Sequence, residues 1–98
     1  MNNYKPSQTG LSLWEKAKSV IPGGNGLLSK RPDRYCPDIW PSYFEKSKGV
    51  NVWDLDGQKY IDMAQMGMGT AILGYSHTRV NDAVINGIYK GVGTTLNT

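Results

Sequence analysis

Apolar residues recur along this chain in two rhythms, and the rhythms divide it. From Thr78 onward Val80, Ala83, Val84, Gly87 and Ile88 fall at i, i+3, i+4, i+7 and i+8, one apolar stripe. That spacing predicts an amphipathic helix over 78–91, with Ser76 or Thr78 as N-cap and Gly91 where a terminating glycine belongs. Leu13, Ala17, Val20 and Ile21 repeat the helical spacing nearer the start. Ser12-Leu13-Trp14-Glu15 reads as a capping box, so a first helix is expected over 12–21 behind an arm of residues 1–11. Pro22-Gly23-Gly24 must end it, because proline lacks the N–H and glycine releases the backbone.

Between the helices the period shortens to two. Tyr43-Phe44-Glu45-Lys46, Val50-Asn51-Val52-Trp53-Asp54 and Lys59-Tyr60-Ile61-Asp62-Met63 read as three strands. Lys48-Gly49 marks the first turn and Asp56-Gly57 the second, the latter expected as a tight turn with positive φ at both central residues. A three-stranded antiparallel meander over 43–63 follows. Residues 22–42 hold Pro22, Pro32, Pro37 and Pro41 with Gly23, Gly24 and Gly26, and are expected to form one extended, irregular segment. Connections of that length are normally functional or disordered. Residues 64–77 are a glycine-rich loop. The fold class is therefore α+β.

The three aspartates Asp54, Asp56 and Asp62 sit within nine positions and raise the question of metal or acid–base chemistry. A calcium loop needs oxygen ligands at alternate positions before its glycine and a glutamate six after it. Position 63 is methionine, so the spacing fails and no metal site is expected. A carboxylate pair for acid–base work stays open, beside the commoner role of turn and strand-end aspartates. Gly67-x-Gly69 lacks the third glycine of a dinucleotide fingerprint, because position 72 is isoleucine. His77 is the one histidine and has no cysteine near it, which leaves a metal or triad role unsupported.

Composition narrows the classes further. At 98 residues the chain holds one domain at most, and its mean hydropathy of -0.46 fits a folded, soluble chain. No apolar run approaches the roughly 20 residues of a membrane span. No secretory signal is visible, and a single cysteine, Cys36, makes no internal disulfide, so the cytoplasm is the expected compartment. The net charge of +3 gathers only at Lys30-Arg31-Pro32-Asp33-Arg34, too short and too diluted for a nucleic-acid surface.

The order of the pieces carries more information than any one of them. Ile21-Pro22-Gly23-Gly24, then Val52-Trp53-Asp54-Leu55-Asp56-Gly57-Gln58-Lys59-Tyr60-Ile61-Asp62, then Leu73-Gly74-Tyr75-Ser76-His77 stand in one sequence. This resembles the N-terminal segment of class III pyridoxal-phosphate-dependent aminotransferases, in the branch of the glutamate-1-semialdehyde 2,1-aminomutases. The resemblance runs from about Leu13 to Asn97. It implies the leading part of a fold type I enzyme that uses pyridoxal 5'-phosphate (PLP) on a small amino or carbonyl substrate. It further implies a homodimer, with this segment covering the cleft and joining the dimer contact.

By the same resemblance, Ser29, Lys30 and Arg31 face the substrate, its carboxylate meeting Lys30 or Arg31, of which the bidentate guanidinium of Arg31 is the better partner. Met68, Thr94 and Thr95 approach the cofactor. No catalytic residue falls in this chain, because the lysine that holds PLP as a Schiff base belongs further downstream. The chain alone is expected to be inactive. Two departures, Met68 in place of an aromatic residue and His77-Thr78 in place of His-Pro, leave the substrate open, as well as the choice between transfer and internal amine shift. The competing reading is a stand-alone, non-enzymatic domain that binds a partner through its meander edge or glycine-rich loop.

Overall fold

A computed structural model describes residues 4–64 and 67–96 of the chain. It holds two α-helices, α1 (Gln8–Val20) and α2 (Thr78–Lys90), and three strands, β1 (Phe44–Lys48), β2 (Asn51–Asp54) and β3 (Lys59–Ile61). The strands form one antiparallel sheet in the order β1-β2-β3, the meander of an α+β fold.

The sheet is built from local signals. Gly49, at φ 60, makes the two-residue turn between β1 and β2, where a hairpin needs a positive φ. Phe44 pairs with Asp54 but Lys46 with Trp53, so Glu45 is the extra residue of a bulge. The second turn departs from the expected form. Gly57 alone has positive φ, at 81, the Gly57 N–H donates to the Asp54 carbonyl at 3.1 Å, and the Asp54 N–H donates to the Gln58 carbonyl at 3.0 Å. Leu55, Asp56 and Gly57 thus make a three-residue loop, with the glycine absorbing the left-handed position.

The first helix starts earlier than its sequence signals suggest. Ser7 is the N-cap, and its hydroxyl accepts from the Gly10 N–H at 3.0 Å. Ser12 therefore lies inside the helix, and Glu15 pairs with Lys18 at 2.6 Å instead of closing a capping box. The buried side of α1 is Gly10, Trp14 and Ala17, rotated from the expected stripe, and Leu13, Val20 and Ile21 are exposed. What selects this face is Trp14. Its ring lies so close to Gly24 that a Cβ there would stand 2.3 Å from Cη2. Gly24, at φ 81, lets the chain turn back against the indole.

Residues 22–42 are more ordered than one irregular stretch. They contain 3₁₀ turns at Leu28–Lys30 and Pro32–Arg34, and the rings of Tyr35 and Trp40 stack at 4.5 Å and 16°. Gly74 docks the glycine-rich loop onto the hairpin. The Gly49 N–H donates to the Tyr75 carbonyl at 2.9 Å and the Tyr75 N–H to the Gly49 carbonyl at 2.8 Å. At φ 85, a Cβ on Gly74 would stand 3.0 Å from the Gly49 Cα.

Helix α2 carries its apolar stripe openly. None of its residues is buried by the rest of the described chain, and Val80, Val84 and Ile88 are all exposed. Its N-cap is His77, with no side-chain hydrogen bond to the helix. Ser76 instead accepts from the Asn81 side-chain amide at 3.0 Å. No helix among the described residues is long and apolar enough to cross a membrane.

Candidate functional site

The three aspartates of the meander are all engaged in holding the fold. Asp54 is 1% exposed, the most buried polar residue described. Its Oδ1 accepts from the N–H groups of Asp56 at 3.0 Å and Gln58 at 2.9 Å, and its Oδ2 from the Tyr60 hydroxyl at 2.8 Å. Asp56, at the hairpin tip, accepts from the Ser7 hydroxyl at 2.9 Å, from the Thr9 N–H at 3.1 Å and from the Thr9 hydroxyl. A carboxylate therefore sits at the N-terminus of α1, where unpaired N–H groups and the helix dipole favour negative charge. Asp62 accepts from the Tyr75 hydroxyl at 2.6 Å and the Ala64 N–H at 2.8 Å.

These bonds shift the groups that make them. The Thr9 hydroxyl and N–H, with the Ser7 hydroxyl, hold the Asp56 carboxyl below its ordinary value. The hydrogen bond to Asp62 pushes the Tyr75 phenol up to about 12. Burial, with the Asp54 hydrogen bond added, drives the Tyr60 phenol well above its ordinary range. Among the described residues no group of three or more histidines, cysteines, aspartates or glutamates could hold a metal ion.

A pocket of about 270 Å³ opens beside this network. Ser29, Lys30, Tyr35, Trp40, Pro41, Ser42, Tyr43, Phe44, Val52, Asp54, Tyr60 and Asp62 line it. A wider groove of about 800 Å³ shares Trp40, Pro41, Val52, Tyr60 and Asp62 and continues over Tyr4, Cys36, Ile39, Ile61, Met63 and Ala64. The walls are aromatic, as in many small-molecule sites. Lys30 is the one cation among the pocket's lining residues, and the two carboxylates there each receive a tyrosine hydroxyl.

The sequence-predicted residues divide between this pocket and elsewhere. Ser29 and Lys30 line it, held on their 3₁₀ turn by the Tyr35 hydroxyl donating to the Ser29 carbonyl. Arg31 is not among the lining residues. Its Nε and Nη2 donate to the two carboxylate oxygens of Asp33 at 3.1 and 2.6 Å. That bidentate pair raises the guanidinium's pKa and lowers the carboxyl's, in each case chiefly through the side-chain hydrogen bond. Met68 stands apart at φ 60 and 91% exposed. Thr94 and Thr95 are exposed beyond α2, the Thr94 hydroxyl donating to the Leu96 carbonyl at 2.9 Å. The aromatic wall went unread in the sequence. Its signal was the alternation of aromatics and prolines over 35–44, which periodicity treats only as loop.

No family model matches the chain. It is 41% identical over 78 residues to the 3-aminobutyryl-CoA aminotransferase of Cloacimonas acidaminovorans (strain Evry), covering 80% of this chain and 18% of that protein. It is 36% identical over 86 residues to the glutamate-1-semialdehyde 2,1-aminomutase of Hyperthermus butylicus, covering 88% of this chain and 19% of that protein. Among solved structures it is similar to the PLP internal aldimine form of the FumI protein of Sphingopyxis sp. MTA144, with 31% identity and a TM-score of 0.75 over 94% of this chain and 22% of that one. It is also similar to an omega-transaminase from Sphaerobacter thermophilus, with 28% identity and a TM-score of 0.78 over all of this chain and 21% of that one. The chain spans about a fifth of the length of the curated relatives it matches.

Proposed function

From its homology to the N-terminal segment of class III PLP-dependent aminotransferases and aminomutases, we propose that this chain is the cleft-covering part of such an enzyme. The enzyme moves an amino group on a small amino or carbonyl substrate. The observation that carries this reading is the agreement of sequence and fold over nearly the whole chain, with relatives about five times as long.

PLP, when bound, supplies the electron sink for amine transfer. The described residues do not by themselves form a cradle for it. The pocket offers one lysine, and both of its carboxylates are engaged in the fold, Asp54 with the turn N–H groups and Tyr60, Asp62 with Tyr75 and the Ala64 N–H. By the resemblance, the anchoring lysine is assigned outside this chain, and the chain alone is expected to be inactive. Its own part is to bind and orient. Ser29 with Lys30 or Arg31 receives the substrate's carboxylate, and the aromatic wall excludes water from the apolar remainder. Met68, Thr94 and Thr95, all exposed, approach the cofactor from this side.

The open stripe of α2 supports the same reading. An uncovered Val80-Val84-Ile88 face calls for a covering surface, which the rest of the subunit or a second subunit of a homodimer supplies. It also favours the alternative, a small interaction domain whose partner is a separate protein. The intact mass of the native gene product decides between them. A mass several times 10.8 kDa, with lysine-dependent absorbance on adding PLP, is expected. A native product of 10.8 kDa would leave only the interaction reading.

A further inference from the structure

We infer that Tyr75 is a positioning residue of the enzyme's site. Its hydroxyl on Asp62 and its backbone on Gly49 fix the glycine-rich loop to the hairpin, and the loop passes that fix on to Met68. The inference rests on the aminotransferase reading above, which brings Met68 to the cofactor, and adds what holds it in place.

The attachment is made at one point, around the turn between β1 and β2. The Asp62 N–H donates to the Val50 carbonyl at 2.8 Å, so the carboxylate leaves the end of β3 from a fixed backbone. Its two oxygens then grip the loop on both sides. Oδ1 accepts from the Ala64 N–H at 2.8 Å and Oδ2 from the Tyr75 hydroxyl at 2.6 Å. Tyr75 also exchanges both of its backbone hydrogen bonds with Gly49. A residue tied by main chain and hydroxyl together does not swing about either tie alone.

From Tyr75 back to Met68 the chain is a run of closed turns. The Gly74 N–H donates to the Ala71 carbonyl at 2.8 Å. The Thr70 N–H and hydroxyl donate to the Gly67 carbonyl at 3.4 and 2.8 Å. Met68 and Gly69 are the central residues of that second turn, at φ 60 and 84. A methionine at positive φ is costly, and such residues gather where a side chain has to be presented. The Met68 side chain, 91% exposed, has little hold of its own. Its place is set by its turn, and the place of the turn by Tyr75. Without the Tyr75–Asp62 bond the turns persist but move as a unit against the hairpin.

The test uses the full-length protein that carries this chain, first without PLP and then with it. In the PLP-free protein, Tyr75→Phe is expected to shift the Met68 ε-methyl signal in a methionine-labelled NMR spectrum, assigned by its loss in Met68→Ala. With PLP, Tyr75→Phe is expected to weaken retention of the cofactor about three- to tenfold, the scale of one hydrogen bond, and to shift its absorbance band. Met68→Ala is expected to weaken retention by itself. Adding Tyr75→Phe to Met68→Ala is expected to bring little further loss, because both changes act through one side chain. A merely structural role would add its loss in full.

An unmoved Met68 signal, unchanged PLP retention in Tyr75→Phe, or full additivity with Met68→Ala overturns the inference and leaves the aminotransferase reading standing. A wild-type protein with no lysine-dependent band on adding PLP overturns that reading, and the inference with it.

Discussion

The Tyr60 hydroxyl donates to the buried Asp54 carboxylate at 2.8 Å, across the hairpin loop that Asp54 itself organises. One side chain thus closes the turn through two backbone N–H groups and ties β3 back to β2. The same pair lines the pocket, so the rigidity of the wall and that of the hairpin have one source.

Replacing Asp54 by Ala should be among the most damaging single changes. It leaves two N–H groups and a phenol without their acceptor at a buried site, at a cost of about 2–4 kcal/mol. Tyr60→Phe removes one bond and should cost about 1 kcal/mol. Denaturant unfolding of the protein carrying each change gives both values. Equal midpoints for wild type and Asp54→Ala would rule out this organising role.

Gly24→Ala tests the packing of α1. The new methyl would meet the Trp14 ring at 2.3 Å, and alanine resists a φ of 81. A loss of about 2–4 kcal/mol is expected, together with a change in Trp14 fluorescence. Gly26→Ala, which meets nothing within 4 Å, is the control and should stay within about 0.5 kcal/mol.

Acid should loosen the clasp between the hairpin tip and α1. Asp56 titrates below its ordinary 3.8 in the folded chain. Its contribution is therefore complete above that value and is lost as pH falls through the lower folded value. Stability measured from pH 6 down to pH 2 should show a wild-type advantage over Asp56→Asn that is constant above about pH 4 and shrinks below it. An advantage that persists undiminished at the acid end would contradict the clasp.

Alkali should act through Tyr75. Its folded value of about 12 lies above the ordinary 10, so its contribution is complete below 10 and declines as pH rises toward 12. Tyr75→Phe should flatten that alkaline slope, and Tyr75 should be among the late-ionising phenols in an ultraviolet titration. A Tyr75 signal at the ordinary value would mean that the bond to Asp62 does not persist in solution.

Local patterns gave away the elements whose causes are local. The strands around Trp53 and Tyr60 were legible from their period of two, and the stripe of α2 repeats because a helix turns every 3.6 residues. Glycines after Lys48 and Asp56 marked the two turns, since few other residues accept a positive φ. The ordered motifs Pro22-Gly23-Gly24, Asp54-Leu55-Asp56-Gly57 and Leu73-Gly74 were enough to point to the family.

What the sequence could not determine depends on groups far apart in it. Ser12 and Glu15 carry a sound capping pattern, yet α1 begins at Gln8 with Ser7 as its cap, where Asp56, 49 positions after Ser7, brings a carboxylate. The resemblance grouped Ser29, Lys30 and Arg31, but gave no sign that Ser29 and Lys30 line a pocket while Arg31 turns to Asp33. The stacked Tyr35 and Trp40 and the Tyr75–Asp62 bond belong to the same class. A turn or an amphipathic face is specified by residues within a few positions of one another, so one sequence suffices to read it. A helix start, a buried carboxylate's partners and the wall of a pocket are decided by which competing contact lies closest in space, and only the tertiary structure sets that.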